Sequence, residues 1–372
     1  MFILFEQIRI MKKFLLILCL YYFSEEIFAQ QNNNEFQLKT FTPLPCTPVK
    51  DQYLSATCWS FAGNSFIESE LLRTGKGEVD LSEMFTARYS YMNKISQHLA
   101  LKGQNTFTPG GQFHDILWVL KHYGAVPENI YNGKPRGEYN HNHGMLDTAM
   151  KKYVKRMISE GKTKPSESDM EYINGLLNVY LGKTPDSFLW NSKIVTPSIF
   201  LKDLGFDPDN YVEITSYTHH PWYKPFILEN EYNWMNAEYL NVPLNDFIKI
   251  TNNALEKGYT VLWSGDATDA GFRFNDAVAM LPDTIKNLQS VRQKTFEDSG
   301  SYLDHVMHIV GKTTDSNGHT WYYIKNSWGS SGNKADGFLF MNDSYFAIKT
   351  TAIVVNRQAI PDEIRNKTDF KK

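Results

Sequence analysis

Between Cys58 and Arg73 the apolar residues Trp59, Phe61, Ala62, Phe66, Ile67, Leu71 and Leu72 recur mainly at three- and four-residue spacings. That pattern predicts a largely buried helix, ended by Gly75 and Gly77. A second helix is expected from about Ser82 to Leu99. A third, Gln112 to Tyr123, opens directly after Pro109-Gly110-Gly111. From about 140 to 205 the chain is richer in Lys, Glu, Ser and helix formers, with Pro165, Pro185 and Pro197 as breaks, and reads as a mainly helical insertion. Beyond about 258 the period changes to that of strands: Tyr259–Ser264, His305–Thr313, Thr320–Asn326, Gly337–Met341 and Thr350–Asn356. Helices first and strands later predict an α+β protein of two lobes with a cleft between them. The chain shows no internal repeat.

The first 29 residues stand apart from this pattern. Met11-Lys12-Lys13 precedes an apolar run from Phe14 to Phe23, then a polar stretch ending in Ala29. This is the layout of a secretory signal and is about half the length a membrane span needs. We therefore expect export to a periplasmic or secreted setting, a polar linker over 30–39, and a folded domain over 40–356 followed by a tail, 357–372. Of 372 residues, 42% are hydrophobic and 14% aromatic, which fits a folded protein with a sizeable core. The net charge of −3, without a long basic run, gives no electrostatic case for nucleic acid. Removing Cys19 with the signal leaves Cys46 and Cys58, too few for a disulfide framework. Cys46 reads as a small apolar residue.

Cys58 carries more. It sits where a turn enters the first helix, with Gln52 six residues upstream, in the pattern Gln-x5-Cys-Trp-x-Phe. A cysteine is a nucleophile only as thiolate, and a helix N-terminus with its unpaired N–H groups favours that anion. A nearby imidazolium favours it further. His305 and His308 lie three apart in one expected strand and so face opposite ways. If Asp315 to Gly318 form the loop of a hairpin, His305 falls opposite Trp328, with Asn326 two residues off on the same face. That parity selects His305 as the base and Asn326 as its orienting partner. Trp328 then shields their hydrogen bond from water. Gln52 and the Cys58 N–H are the expected oxyanion donors. Gly110 and Gly111 suit a close approach of extended substrate backbone. His141, His143, His219 and His220 have no carboxylate or cysteine at ligand spacing and read as exposed loop residues, so no metal is expected. The Met and aromatic residues from Trp222 to Tyr239 read as core and cleft lining.

The order Gln52, Cys58, His305, Asn326-Ser327-Trp328-Gly329 resembles the papain-like cysteine peptidases. Leu81-Ser82-Glu83-Met84 resembles that family's Leu-Ser-x-Gln segment, with Met84 departing from Gln. Tyr239–Leu244 and Phe296–Gly300 are similar to the bleomycin hydrolase and aminopeptidase C branch. The resemblance covers roughly 40–356. It implies a papain-like fold, a helical lobe beside an antiparallel, barrel-like β lobe, and a peptidase that acts on a peptide or protein substrate through an acyl-enzyme, without cofactor. Three departures bear on specificity. Ala56-Thr57 stands where Gly-Ser or Gly-Arg is usual. The chain is about a hundred residues shorter than cytosolic members of the branch, which puts their hexameric barrel in doubt and leaves the oligomeric state open. Only fifteen residues follow Arg357, where those members carry a longer arm whose carboxylate captures the substrate amine. Aminopeptidase and endopeptidase action both remain open on this reading. So do a non-catalytic peptide binder and an acyl transferase of the same fold.

Overall fold

The computed structural model describes residues 36–298 and 303–368. The export segment expected over 1–29 lies outside them. Helix α1 (Cys58–Arg73) takes the limits its periodicity predicts, and Trp59 through Leu71 are all buried. A helix buried on every side must satisfy its polar residues internally. Ser60 Oγ donates to the Glu83 carbonyl (2.7 Å), and Glu68 accepts from the Leu81 N–H (2.8 Å). Helix α2 (Glu83–Ala100) starts at Ser82, whose Oγ accepts from the Phe85 N–H at 3.1 Å. Helix α3 (Phe113–Tyr123) opens on a capping box between Gln112 and Asp115.

The insertion holds α4 (Gly144–Ser159), α5 (Glu167–Leu181), a hairpin of β1 (Phe188–Trp190) and β2 (Lys193–Val195), and α6 (Pro197–Leu204). It is mainly helical, as its composition predicts. Leu146, Met150, Ile173, Leu177 and Phe200 bury fully against the same core as α1 to α3, so the insertion is part of the helical lobe.

The second lobe is built on one sheet: β3 (Tyr211–Thr215), β4 (Pro225–Ile227), β5 (Glu238–Asn241), β6 (Val261–Gly265), β7 (Phe272–Arg273), β8 (Val278–Ala279), β9 (His305–Thr314), β10 (Thr320–Lys325), β11 (Phe338–Asn342) and β12 (Thr350–Asn356). Their lateral order is β4-β5-β3-β12-β6-β9-β10-β11-β8-β7. The expected barrel-like, antiparallel lobe needs correction. Among the described residues the sheet is open, ending at β4 and β7, and it is mixed, since β3 with β5 and β11 with β8 run parallel. The centre, β12-β6-β9-β10-β11, is antiparallel throughout. Helix α7 (Leu244–Glu256) buries Phe247, Ile250 and Ala254 on one side of this sheet. Helix α1 lies against β9 on the other, where its Ser65 and Phe66 meet His308.

The β9–β10 register settles the histidine parity through two offsets that cancel. Thr314 pairs with Thr320, one residue beyond the expected partner His319. A bulge between Tyr323 and Ile324 then restores the expected frame, so His308 pairs with Lys325. Remaining helices are α8 (Leu288–Glu297), α9 (Asp343–Lys349) and α10 (Asp362–Arg365). The segment expected as a tail after 356 packs as far as it is described: Ile360 and Ile364, four apart, are fully buried with α7. No helix among the described residues is long and apolar enough to cross a membrane.

Candidate active site

The turn before α1 and the strand end at Asn326 are zipped together. Gln52 N–H donates to the Ser327 carbonyl (2.9 Å), Ser327 Oγ donates to Gln52 Oε1 (2.7 Å), and Asp51 bridges Trp328. With Oε1 committed to Ser327, the donor end of the Gln52 amide is the end left for a substrate oxygen. The turn then passes through Ala56, at φ 54°, into Cys58 as the first helical residue. A Cβ in the left-handed region costs about 1 kcal/mol, a cost the glycine usual at this place avoids. Ala56→Gly is therefore expected to raise stability by up to about 1 kcal/mol with the peptidase rate kept, measured by urea unfolding. A clear destabilisation would show that the turn needs the alanine side chain.

Cys58 is half-buried, and the backbone of Val306, the residue after His305 on β9, is near enough to favour its thiolate against the effect of burial. Burial pushes the thiol up to about 11, against the pull of the Val306, Trp59 and Cys58 N–H groups. His305 is buried, and burial lowers its imidazole to about 4, with the Asn326 hydrogen bond opposing. Removal from water therefore favours the neutral form of each. Ser327 N–H donates to Asn326 Oδ1 (2.8 Å), which fixes that amide's orientation. His305 Nε2 must then be the donor across its 2.7 Å contact to the same oxygen, which leaves Nδ1 as the basic nitrogen. Trp328 lies over the pair, its ring 4.5 Å from that of His305, and is itself held by Phe272 and Phe274 at 5.8 and 5.2 Å. Sequence reasoning missed those two phenylalanines, which come from β7 and the turn after it. His308 points away, buried against Phe66 with Nδ1 on Ser65 Oγ (3.0 Å).

Gly110 and Gly111 pack more closely than the sequence suggests. A Cβ on Gly111 would lie 2.9 Å from the Trp59 ring, and one on Gly110 would lie 2.5 Å from the Tyr232 ring. The turn is pulled inward by Trp59 Nε1, which donates to the Pro109 carbonyl (3.0 Å), and by the buried Lys94 ammonium. That ammonium reaches the carbonyls of Thr108, Pro109 and Gly110. Burial brings Lys94 down to about 8, although Asp115, Asp147 and Cys58 hold it up. Lys94 carries no motif and is found only through these contacts.

The histidine pairs differ from expectation. His141 and His143 are buried rather than exposed, and burial lowers them to about 3 and about 4. His219 and His220 do have a carboxylate: Glu229 meets their Nε2 atoms at 3.2 and 2.7 Å. Thr218 N–H donates to Gln293 Oε1 (2.6 Å), so Gln293 Nε2 donates to His219 Nδ1 (2.9 Å). The His219 proton therefore sits on Nε2 and is given to Glu229. The trio is a hydrogen-bonded clasp, with His219 in the tautomer opposite to that of a metal ligand.

Comparison with known proteins agrees with this geometry. Aminopeptidase C of Lactobacillus delbrueckii subsp. lactis is 24% identical, over 86% of this chain and 82% of that protein. Bleomycin hydrolase of Homo sapiens is 25% identical, over 70% of this chain and 65% of that protein. The crystal structure of PepW from Lactobacillus rhamnosis shares the fold with a TM-score of 0.67 at 18% identity, covering 91% of this chain and 86% of that one. The family model described as Peptidase C1-like matches residues 21–372. That match takes in both lobes, and the chain accordingly belongs to the Peptidase C1-like family, as a cysteine peptidase.

Proposed function

We propose that Cys58 is the nucleophile of peptide-bond hydrolysis, with His305 as its base and acid, Asn326 as the residue that orients the imidazole, and Gln52 as an oxyanion donor. The observation that carries this reading is the buried His305 held in one tautomer by Asn326, on the strand whose next residue, Val306, favours the Cys58 thiolate. The thiol proton passes to His305 Nδ1 as sulfur attacks the scissile carbonyl carbon. The oxygen takes up the charge, stabilised by the Gln52 amide and the Cys58 N–H. The C–N bond then breaks, and the amine leaves with the proton from His305. Water repeats the cycle on the thioester, giving the carboxylic acid and restoring the thiol.

A pH profile follows from the imidazole. Burial keeps His305 unprotonated down to about pH 4, so the base form persists well below histidine's ordinary range. The acid limb of kcat/KM is expected nearer pH 4 than pH 6.5, and a limb at or above 6.5 contradicts this account.

The relatives named for aminopeptidase C and bleomycin hydrolase support removal of residues from a free amino end as the mode of action. Digestion of a peptide and its N-acetylated twin tests it, and equal cleavage of both favours endopeptidase action. The basic and then apolar stretch from Lys12 to Phe23 supports export as the setting. Cell fractionation with N-terminal sequencing checks this: a mature chain cut near Ala29 is expected, and an uncut chain in the cytosol contradicts it.

A further inference from the structure

We infer that His141 and His143, where the helical insertion begins, are positioning residues: they hold the turn 52–57 in its shape and so keep Gln52 and the Cys58 N–H aimed at the developing oxyanion. This rests on the peptidase reading of Cys58 and gives the insertion a part in that reaction.

The turn does not keep its shape by itself. Tyr53 and Ala56 both lie in the left-handed region, at φ 47° and 54°, where a Cβ is unfavourable. Such residues persist when their surroundings fix them from more than one side. One side is the second lobe, through the bonds between Gln52 and Ser327. Within the turn, the Ser55 N–H donates to the Gln52 carbonyl (3.2 Å), and Ser55 Oγ meets Thr57 Oγ1 at 2.6 Å. The outer limb, Tyr53 and Leu54, carries exposed side chains and must be held from elsewhere.

The insertion supplies that hold. Leu54 forms a parallel bridge with Asn142, and the His143 N–H donates to the Leu54 carbonyl (3.1 Å). On either side of Asn142 the two imidazoles are buried, their rings 6.0 Å apart. His141 packs edge-on against Phe61, in the first turn of α1, at 5.7 Å. Among the described residues, His141 Nδ1 and both ring nitrogens of His143 have no hydrogen-bond partner, so the rings act chiefly by packing. The hold is rooted in the helical lobe. The Asp147 N–H donates to the His143 carbonyl (2.8 Å), the Tyr91 hydroxyl of α2 donates to Asp147 Oδ1 (2.6 Å), and Leu146 and Met150 of α4 are fully buried. A packed lobe thus reaches the strained turn through His141, Asn142 and His143. Aim matters here, because displacing a catalytic group by about 1 Å can cost up to about 100-fold in rate.

The test compares two reactions of Cys58 on the full chain. Hydrolysis of a peptide anilide develops an oxyanion, and alkylation by iodoacetamide does not. His143→Ala is expected to lower kcat for hydrolysis about tenfold with KM little changed, and to slow alkylation by less than about twofold. His143→Leu refills the space and is expected to recover most of the loss. Equal losses in the two reactions, unchanged hydrolysis, or a His143→Leu protein as slow as His143→Ala overturns the proposal. Asn142→Gly, at the exposed end of the bridge, leaves the core untouched and serves if His143→Ala does not fold. A loss of about threefold in hydrolysis alone is expected there, and no loss overturns the proposal. If the wild type hydrolyses no peptide, the peptidase reading fails separately. Hydrogen exchange over 52–57 then decides the hold: faster exchange in Asn142→Gly, with β9 and β10 unchanged, supports it, and equal exchange overturns it.

Discussion

Cys58→Ala is expected to lower turnover of a peptide substrate by at least about 10⁴-fold while leaving the fold intact. Cys58 is half-buried and forms no disulfide, so the substitution removes the proposed nucleophile and little packing. His305→Ala is expected to cost about as much, because the thiol proton then has no acceptor at hand. The double variant should be barely worse than either single one, since nucleophile and base act as one unit. Asn326→Ala leaves both reacting groups in place and should cost less, with a kcat loss that exceeds any change in KM. It removes the 2.7 Å contact that keeps Nδ1 basic and aimed. Residual activity above a hundredth of wild type in Cys58→Ala would remove this cysteine from the mechanism.

The largest stability effect is expected at Arg292 on α8. This side chain is fully buried, and its three nitrogens donate to the carbonyls of Ser216 (2.7 Å), Ala347 (3.0 Å) and Thr351 (3.2 Å). One guanidinium therefore joins α8 to the end of β3, to α9 and to β12, between the rings of Tyr217 and Phe247. Arg292→Met keeps much of the volume but removes three buried hydrogen bonds, and only the Ser216 and Thr351 carbonyls keep a side-chain donor, from Gln289 (3.4 Å) and Thr215 (2.7 Å). Each hydrogen bond to a charged donor contributes about 1.5–3 kcal/mol, so a loss of about 4 kcal/mol or more is expected. That is a large part of a typical domain's stability. Arg292→Lys keeps a cation but not the planar fork and should recover less than half of it. Urea unfolding of the three proteins is the measurement, and a loss below about 1 kcal/mol would show that the carbonyls find other donors.

Arg292 also shows where the sequence stops being readable. An arginine on a short, weakly apolar helix reads as a surface residue, and only the three elements that converge on it make it a core residue. The same holds for Lys94, His141 and His143, whose burial is decided by distant chain. What could be read was local or periodic. The limits of α1 and the strands β9 to β12 follow from spacing within one element, and the choice of His305 over His308 from one hairpin, whereas Gln52, Cys58 and Asn326 stand out through the motif order that resembles papain-like peptidases. Strands β3, β4 and β5 escaped because they are short and interrupted by turns. Strand β3 also carries Glu213 into a buried position, where its carboxylate takes the N–H and Nδ1 of His114. The open sheet escaped too, since alternation reveals strands but not which ones form its edges. The hairpin frame near the site depends on loop length and bulge together, and here the two offsets cancel.

Alkylation of the folded protein by a stoichiometric epoxide inhibitor of cysteine peptidases, at neutral pH and read by peptide mass spectrometry, bears most directly on the pairing of sulfur and imidazole. One adduct is expected, on Cys58 and not on Cys46, forming about 100-fold more slowly in His305→Ala because the thiol has lost its base. Labelling of Cys46 in preference to Cys58, or an unchanged rate without the histidine, would contradict the account.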